Sequence, residues 1–276
     1  MQSELMSKYR FTDDVPVLRA GLASVLMTIH EPDVCIADVA ESIGKEPSLS
    51  GRMIGLANSP YYRRSQEITR LIDAISVIGL TETRIHVTRL AIGGHFKATA
   101  CPLFSEDRFW TSAISLGLVS QQVAQTLSPH RPEVEEAAIL AGLLYRIGLL
   151  AMAHQYPTET HRVLMRAQNL DLNLVDATNE TFGANYADVG SRILDCWELP
   201  GLLSEVPEYV IRSQAGEISE LPLVVAIARC LISENYTPEQ LLEHGMAERD
   251  AKRIHELRDS AQREVSRAQA LRSMTG

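Results

Sequence analysis

The chain has few side chains whose types and spacing could support catalysis. None of its histidines falls in an H-E-x-x-H or H-x-x-x-H spacing, which would place two imidazoles on one helix face to bind a metal. These histidines are His30, His86, His95, His130, His154, His161, His244 and His255. Neither a G-x-S-x-G nucleophile turn nor a phosphate-binding Walker loop occurs. Because no nucleophile has an evident base, we expect no enzymatic activity and no cofactor.

Residues 36–62 could carry a different activity, the recognition of DNA. The glycine Gly44 and the apolar residues before it have the spacing of a helix-turn-helix, whose second helix enters the major groove. Arg52 would then reach a guanine or a phosphate, whereas Glu46 would be repelled by the DNA backbone. The apolar stripe over residues 49–57 is instead typical of a helix packed in a core. We therefore do not expect a nucleic-acid partner.

Composition and charge favour a helical protein that does not bind nucleic acid. A chain of 276 residues that is 45% hydrophobic can bury one large core or two small ones. Aromatic residues make up only 5%, which favours packed helices over sheets. The formal net charge of −9 lies in residues 105–276 (15 basic, 24 acidic), while residues 1–104 balance (11 basic, 11 acidic). A net acidic protein binds DNA poorly, because neutralised phosphates supply most of the nonspecific affinity.

Nothing in the sequence predicts export or insertion in a membrane. The longest apolar run, residues 137–153, is interrupted by Tyr145 and Arg146 and is too short to span a bilayer. The first residues contain no apolar signal region. The cysteines of the chain are Cys35, Cys101, Cys196 and Cys230, and no two of them form a C-x-x-C pair. They fit reduced thiols better than disulfides or zinc ligands. We expect a cytoplasmic protein that does not contact a membrane.

The elements that position these residues are predicted to be helices throughout. Apolar residues recur every three or four positions over residues 18–29, 36–43, 49–57 and 71–78. Further helices are expected at residues 110–127, 134–153, 160–169, 184–196, 201–213 and 221–234. No stretch alternates with period two for long enough to form a strand. The sequence therefore predicts an all-α fold.

The segment from Thr237 onward forms a distinct helical extension. Thr237, Pro238 and Gln240 predict a helix start with a capping box. After Gly245, one helix face carries an apolar stripe made of Ile254, Leu257, Ala261, Val265 and Ala268. Two interpretations remain open. The helix packs back on its own domain, or it forms a homodimer or binds another partner.

Five segments and Trp110, in this order along the chain, resemble the HDOD family. EPSLSGRMIGLANSPYY (46–62) and ITRLIDAISVIGL (68–80) are similar to the family's first half, and Trp110, AAILAGLLYRIGLLAMA (137–153), YADVGSRILDCWELP (186–200) and LPLVVAIARCL (221–231) to its second. The resemblance covers about residues 12–232. It implies an all-helical bacterial signalling protein with an N-terminal lobe (1–104), a degenerate HD-like lobe (105–236) and a C-terminal extension (237–276). The motif residues expected to be structural are Asn58, Ser59, Pro60, Trp110, Gly148, Gly190 and Trp197.

The same resemblance indicates where a metal site would lie, because HDOD proteins are related to HD-domain metal phosphohydrolases. Such a site needs histidines and aspartates to bind metal ions and activate water. The matching positions here hold Ser112, Tyr145, Arg146, Tyr186, Tyr209 and Arg229, none of them a typical metal ligand. A guanidinium about 4 Å from a divalent ion would be repelled by ~8 kcal/mol at an effective dielectric constant near 20. We therefore expect no metal.

These observations favour a non-catalytic signal-transduction module that acts by contact with another signalling protein. The resemblance implies a two-component or cyclic-dinucleotide pathway. One alternative is a pocket in which Arg146 and Arg229 bind a nucleotide or another anion. We expect the two arginines to pair instead with internal carboxylates such as Asp188 or Glu205, because buried charges usually have partners. A residual metal-dependent phosphohydrolase and a DNA-binding regulator are further alternatives.

Overall fold

The chain folds into α-helices throughout the residues that the computed structural model describes, which are 18–62, 67–170, 172–212 and 220–273. No strand occurs in those residues. The predicted all-α fold class is therefore confirmed.

The described residues of the first lobe form five helices around a core of aliphatic side chains. They are α1 (Ala20–Ile29), α2 (Ile36–Gly44), α3 (Pro47–Ala57), α4 (Leu71–Ile78) and α5 (Leu80–Gly93). Leu26, Ile43, Met53 and Ile75 are fully buried in this core. The first 17 residues of the predicted lobe 1–104 lie outside the described part of the chain.

The helix α5 was not predicted from the sequence. Its residues, LTETRIHVTRLAIG, do not form a continuous apolar stripe, so helical periodicity does not mark it. It buries polar side chains instead, including Thr83, Arg84, His86 and Thr88. Arg84 donates from Nε to the carbonyl of Ile29 at 2.6 Å and forms an ion pair with Glu136 in the second lobe. This arginine, 5% exposed in its side chain, joins the two lobes.

The second lobe is built around the long helix α6 (Glu106–Leu127). The helices that follow are α7 (Pro132–Leu144), α8 (Ile147–Gln155), α9 (Pro157–Leu170), α10 (Leu174–Phe182), α11 (Tyr186–Cys196), α12 (Gly201–Ser204), α13 (Val206–Arg212) and α14 (Glu220–Ile232). Both α7 and α14 pack on α6. The helices α6 and α7 meet backbone to backbone, since a Cβ atom on Gly142 would lie 2.6 Å from the Cα of Gly117.

Two predicted helices of this lobe are each divided in two. The predicted helix 134–153 breaks at Tyr145 and Arg146, which lie between α7 and α8. Both halves are buried on nearly all sides, so the sequence has no change in hydrophobic pattern that would reveal the break. The predicted helix 201–213 breaks at Glu205, and its residue 213 lies outside the described residues.

The segment Pro132–Gln155 is long and apolar enough to cross a membrane by length and composition alone. In the described part of the chain it is the one segment with this property, and 83% of its apolar window is buried inside the protein. Such burial is typical of core helices in a folded domain.

The C-terminal extension packs on the second lobe of the same chain. It consists of α15 (Glu239–Glu243), α16 (Glu248–His255) and α17 (Arg258–Ser273). The helix α17 packs on α6 and α14, where Ala261 and Ala268 are fully buried. Its Arg267 also reaches Glu82 of α5 at 2.8 Å. The apolar stripe considered for a homodimer is thus largely covered within the chain itself.

The start of the extension contains half of the predicted capping box. The backbone N–H of Thr237 donates to Oε1 of Gln240 at 3.1 Å. The reciprocal bond, in which the Thr237 hydroxyl would accept from the backbone N–H of Gln240, is not formed among the described residues, and α15 begins at Glu239. The one hydrogen bond of the capping box that forms therefore fixes the turn before the helix.

Candidate functional site

The break between α7 and α8 places two neighbouring side chains at the centre of the second lobe. Tyr145 ends α7 and Arg146 precedes α8. Two residues later, Gly148 lies against α11, where a Cβ atom would be 2.0 Å from the carbonyl oxygen of Tyr186 and 2.5 Å from the backbone nitrogen of Gly190. Only a glycine at position 148 allows α8 and α11 to approach this closely.

This close approach brings two tyrosines together. The hydroxyl oxygens of Tyr145 and Tyr186 lie 3.2 Å apart, so one donates a hydrogen bond to the other. Their rings meet edge to face with centroids 6.4 Å apart, a favourable geometry for aromatic side chains. Both residues are almost fully buried. The sequence-based mapping of these two positions to one site agrees with this arrangement.

Arg146 and Arg229 lie near the tyrosine pair. The Cζ atom of Arg146 is 5.6 Å from the centroid of the Tyr145 ring, within the range of a cation–π contact. Burial raises the pKa of the Tyr186 hydroxyl, the neighbouring Tyr145 raises it further, and the charges of Arg146 and Arg229 act in the opposite direction. Both guanidinium groups therefore lie close enough to influence the same hydroxyl.

The expected internal carboxylate partners of the two arginines are not found. In the part of the chain that the structure describes, neither Arg146 nor Arg229 forms an ion pair, and the Nε atom of each is buried without a hydrogen-bond partner. Asp188 accepts hydrogen bonds from the backbone N–H and the side-chain amide of Asn185, in the capping box of α11. The expectation of pairing with Asp188 or Glu205 is wrong, because Asp188 caps its own helix and Glu205 has other contacts.

A cavity of about 260 Å³ opens at the break between α7 and α8. Three of the predicted site residues, Ser112, Tyr145 and Arg146, line it. Arg108 on α6 lines it too, although no motif in the sequence pointed to this residue. Sequence reasoning missed Arg108 because its place in the cavity depends on where α8 and α9, whose Leu149 and Leu164 also line it, lie relative to α6.

The other three predicted residues do not line this cavity, although Tyr186 contacts Tyr145 through its hydroxyl. Tyr209 on α13 is 40% exposed and makes no contact with the tyrosine pair or the two arginines among the described hydrogen bonds and ring contacts. Its place in the site therefore stays a prediction. Arg229 influences Tyr186 but is not among the residues that line the cavity.

The side chains gathered here do not fit a metal ion. A divalent cation would face the guanidinium of Arg146, and the raised pKa of Tyr186 keeps that hydroxyl protonated at neutral pH. Among the residues that the structure describes, no three His, Cys, Asp or Glu side chains form a group that could hold a metal.

Two neighbouring motif residues of the first lobe, Asn58 and Ser59, differ in whether their side chains form hydrogen bonds. The Asn58 side chain donates to the carbonyls of Ile54 (3.0 Å) and Ile68 (2.7 Å) and accepts from the Ile68 N–H (2.9 Å). It thereby holds the two ends of the segment between α3 and α4 together. The Ser59 hydroxyl is buried without a hydrogen-bond partner among the described residues, so it satisfies no backbone group there. Pro60 is exposed at the turn.

The two tryptophans among the motif residues lie in the core. Trp110 is 3% exposed and meets the ring of Phe109 edge to face with centroids 5.1 Å apart. Trp197 is 4% exposed and lies with its ring centroid 6.0 Å from that of Phe96. Because Phe96 comes from the end of the first lobe and Trp197 from the second, this contact also joins the lobes.

The segment considered for DNA recognition forms two helices, α2 and α3, joined at residues 45–46. Arg52 is exposed and borders a cleft of about 550 Å³ at the edge of the first lobe. Acidic residues border the same cleft, among them Glu46 and Glu106. This mixture of charges does not provide the continuous basic surface that phosphate contacts require.

Comparison with known proteins identifies one family along most of the chain. The profile of the HDOD domain matches residues 15–211. A protein of unknown role from Treponema pallidum (strain Nichols) is 20% identical over 190 residues, which is 68% of this chain. The chain spans only 36% of the length of that relative.

Several crystal structures have the same fold. One, from Marinobacter aquaeolei VT8, belongs to a protein provisionally assigned to signal transduction and is similar with a TM-score of 0.79 and 18% identity, over 99% of this chain and 65% of the other. An HDOD domain protein with unknown function from Geobacter sulfurreducens is similar with a TM-score of 0.71 and 20% identity, over 98% and 96%. A provisionally assigned phosphohydrolase from Shewanella amazonensis SB2B is similar with a TM-score of 0.70 and 20% identity, over 99% of this chain and 98% of the other.

Proposed function

We propose that this chain, which belongs to the HDOD domain family, is a regulatory module that acts through protein–protein contacts and does not catalyse a reaction. The observation that carries the proposal is the unpaired guanidinium of Arg146 beside the buried Tyr145–Tyr186 pair. Metal-dependent hydrolysis needs ligands that attract a divalent cation and activate a water molecule. A guanidinium beside two tyrosine side chains does neither.

The setting of the proposal is a cytoplasmic signalling pathway with another signalling protein as partner. The similarity to a Marinobacter protein provisionally assigned to signal transduction supports this class of function. The chain spans 65% of that protein and 36% of the Treponema relative, so the further segments of such relatives would provide the input or the output. Burial of the apolar segment Pro132–Gln155 supports a protein that does not insert in a membrane.

The test of the proposal measures metal content and hydrolysis in the same preparation. We expect elemental analysis of the purified chain to find no stoichiometric Fe, Mn or Zn, and bis(p-nitrophenyl) phosphate and cyclic dinucleotides to remain intact with added Mn²⁺. The matched control is Arg146→Met, which removes the cation from the site. Turnover by the wild type that survives repurification and changes in this variant would refute the non-catalytic role.

A second measurement examines the contact with a partner. A signalling protein that co-purifies from the source cells should form a complex of fixed stoichiometry when both purified proteins are mixed. Duplex DNA serves as the competing ligand, and its retention should fade as salt rises to physiological strength and should not depend on sequence. A sequence-specific footprint lost in Arg52→Ala would instead make the chain a DNA-binding regulator.

A further inference from the structure

The guanidinium of Arg146 lacks a partner that the protein itself could supply. Its Nε atom is buried without a hydrogen bond, and no ion pair of this residue occurs within the described residues. The cation–π contact with Tyr145 does not provide a hydrogen-bond acceptor for the N–H groups of the guanidinium. A partly buried cation with free donors is a ready partner for an anion from solution.

Arg108 provides a second cation on the wall of the same cavity. It lies in the first turn of α6 and is exposed. Its guanidinium makes no ion pair or hydrogen bond to the described protein. The Ser105 hydroxyl, 3.2 Å away, accepts a hydrogen bond from the backbone N–H of Arg108 and not from its side chain. No acidic side chain is found among the described residues that line the cavity. Neither arginine is therefore neutralised by a carboxylate on the cavity wall.

The rest of the cavity wall is mainly apolar. Its apolar side chains include Phe104, Phe109, Leu116 and Leu149. The Ser112 hydroxyl adds a polar group that forms no hydrogen bond with the described protein. The volume of about 260 Å³ is below the ~300–1,000 Å³ of pockets for drug-sized ligands. Such a space fits one ring or a short chain with a charged group, and a cyclic dinucleotide is too large for it.

We propose that this cavity binds a small organic anion, with its carboxylate or phosphate held between Arg146 and Arg108 and its apolar body against Phe109 and Leu149. The two guanidinium groups can each offer paired N–H donors to an oxyanion. The ligand would join α6, which contains Arg108, to the start of α8, which follows Arg146. This inference deepens the proposed function, on which it rests, because it assigns to the regulatory module the class of ligand that regulates it.

Isothermal titration calorimetry on the full chain tests the inference. Phenyl phosphate and phenylacetate are the complete probes, and inorganic phosphate and phenol are the matching halves. We expect at least one complete probe to bind with one molecule per chain and at least tenfold more tightly than either half. Which of the two binds distinguishes a phosphate from a carboxylate ligand. EDTA is present throughout, so a bound metal cannot provide the affinity.

The variants locate the binding. Arg146→Met and Arg108→Gln should each weaken binding of the complete probe roughly ten- to hundredfold, the loss expected for a charge-assisted hydrogen bond. Arg192→Gln, an exposed arginine of α11 outside the cavity, is the matched control and should bind as the wild type does. Without ligand, Arg146→Met should melt at or above the wild-type temperature, because it removes a cation that has no partner.

Four results would overturn the inference. They are the absence of binding by either complete probe, binding that both arginine variants retain, inorganic phosphate binding as tightly as phenyl phosphate (an adventitious ion only), and a lower melting temperature of unliganded Arg146→Met. The proposed function fails on a different result, metal-dependent turnover. Loss of one conclusion therefore does not decide the other.

Discussion

The replacement Gly148→Ala tests how closely α8 approaches α11, the contact that positions the tyrosine pair. The added methyl group would lie 2.0 Å from the carbonyl oxygen of Tyr186 and 2.5 Å from the backbone nitrogen of Gly190. Both atoms belong to the backbone of a buried helix and cannot rotate away. The only relief is to move α8 and α11 apart.

The size of the effect follows from these distances. Nonbonded carbon contacts are optimal at about 3.5–4.0 Å, so the two helices would have to separate by more than 1 Å. Overpacking of a core costs about 1–3 kcal/mol and more where backbone must move. Alanine regains about 1 kcal/mol over glycine inside a helix. We expect Gly148→Ala to lower the free energy of unfolding by about 3 kcal/mol.

Urea denaturation followed by circular dichroism measures this loss. The matched control is Gly51→Ala on α3, where a Cβ atom would meet nothing within 4 Å. This variant should gain up to about 1 kcal/mol, because only the helix propensity changes. If Gly148→Ala were as stable as the wild type within about 0.5 kcal/mol, the backbone contact would not be as close as described. The account of how the tyrosine pair is positioned would then be wrong.

Three further predictions concern polar side chains of the first lobe. Asn58→Ala should lose about 2–3 kcal/mol in urea titrations, because three hydrogen bonds disappear, whereas its neighbour Ser59→Ala should lose nothing measurable; equal losses would contradict this. Arg84→Met should lose about 3 kcal/mol, because it leaves a carboxylate on α7 without its partner, and an unchanged midpoint would show that this ion pair does not join the lobes. Burial lowers the pKa of His30 to about 3 and that of His86 to about 4, while the unfolded chain keeps values near 6.5. The unfolded state therefore binds more protons below about pH 6.5, and stability falls from there towards pH 4 by up to ~1.4 kcal/mol per pH unit for each histidine. Melting temperatures measured between pH 6.5 and pH 4 check this loss of stability, and His86→Leu should make the loss per pH unit smaller.

Local sequence signals were sufficient to predict most of the helices. Pro47 at the start of α3 and the apolar spacing of α2 gave bounds within two residues of those observed. Where the pattern was absent, prediction failed: α5 buries threonine, arginine and histidine, and the break at residues 145–146 lies in a segment that is apolar on all sides. Both features arise from tertiary packing, which overrides local periodicity.

The site was predicted only in part, for a related reason. The resemblance placed Ser112, Tyr145 and Arg146 together, and the structure has all three on one cavity wall. It placed Tyr209 there too, but this residue lies on α13, beyond the break at Glu205, and does not line the cavity. Whether a guanidinium has a carboxylate within reach depends on the relative positions of several helices, and the sequence contains no signal for it.

The contacts that hold this site together are separate from the side chains that would bind a ligand. Backbone approaches at Gly148 on α8 and at Gly142 on α7 fix the helices around the cavity. The charged groups of Arg146 and Arg108 take no part in those contacts. Because a deleted guanidinium removes a binding group and no packing contact between helices, its effect on ligand affinity can be separated from its effect on folding. A fold held by backbone contacts can therefore keep the shape of this pocket when side chains that line it are replaced.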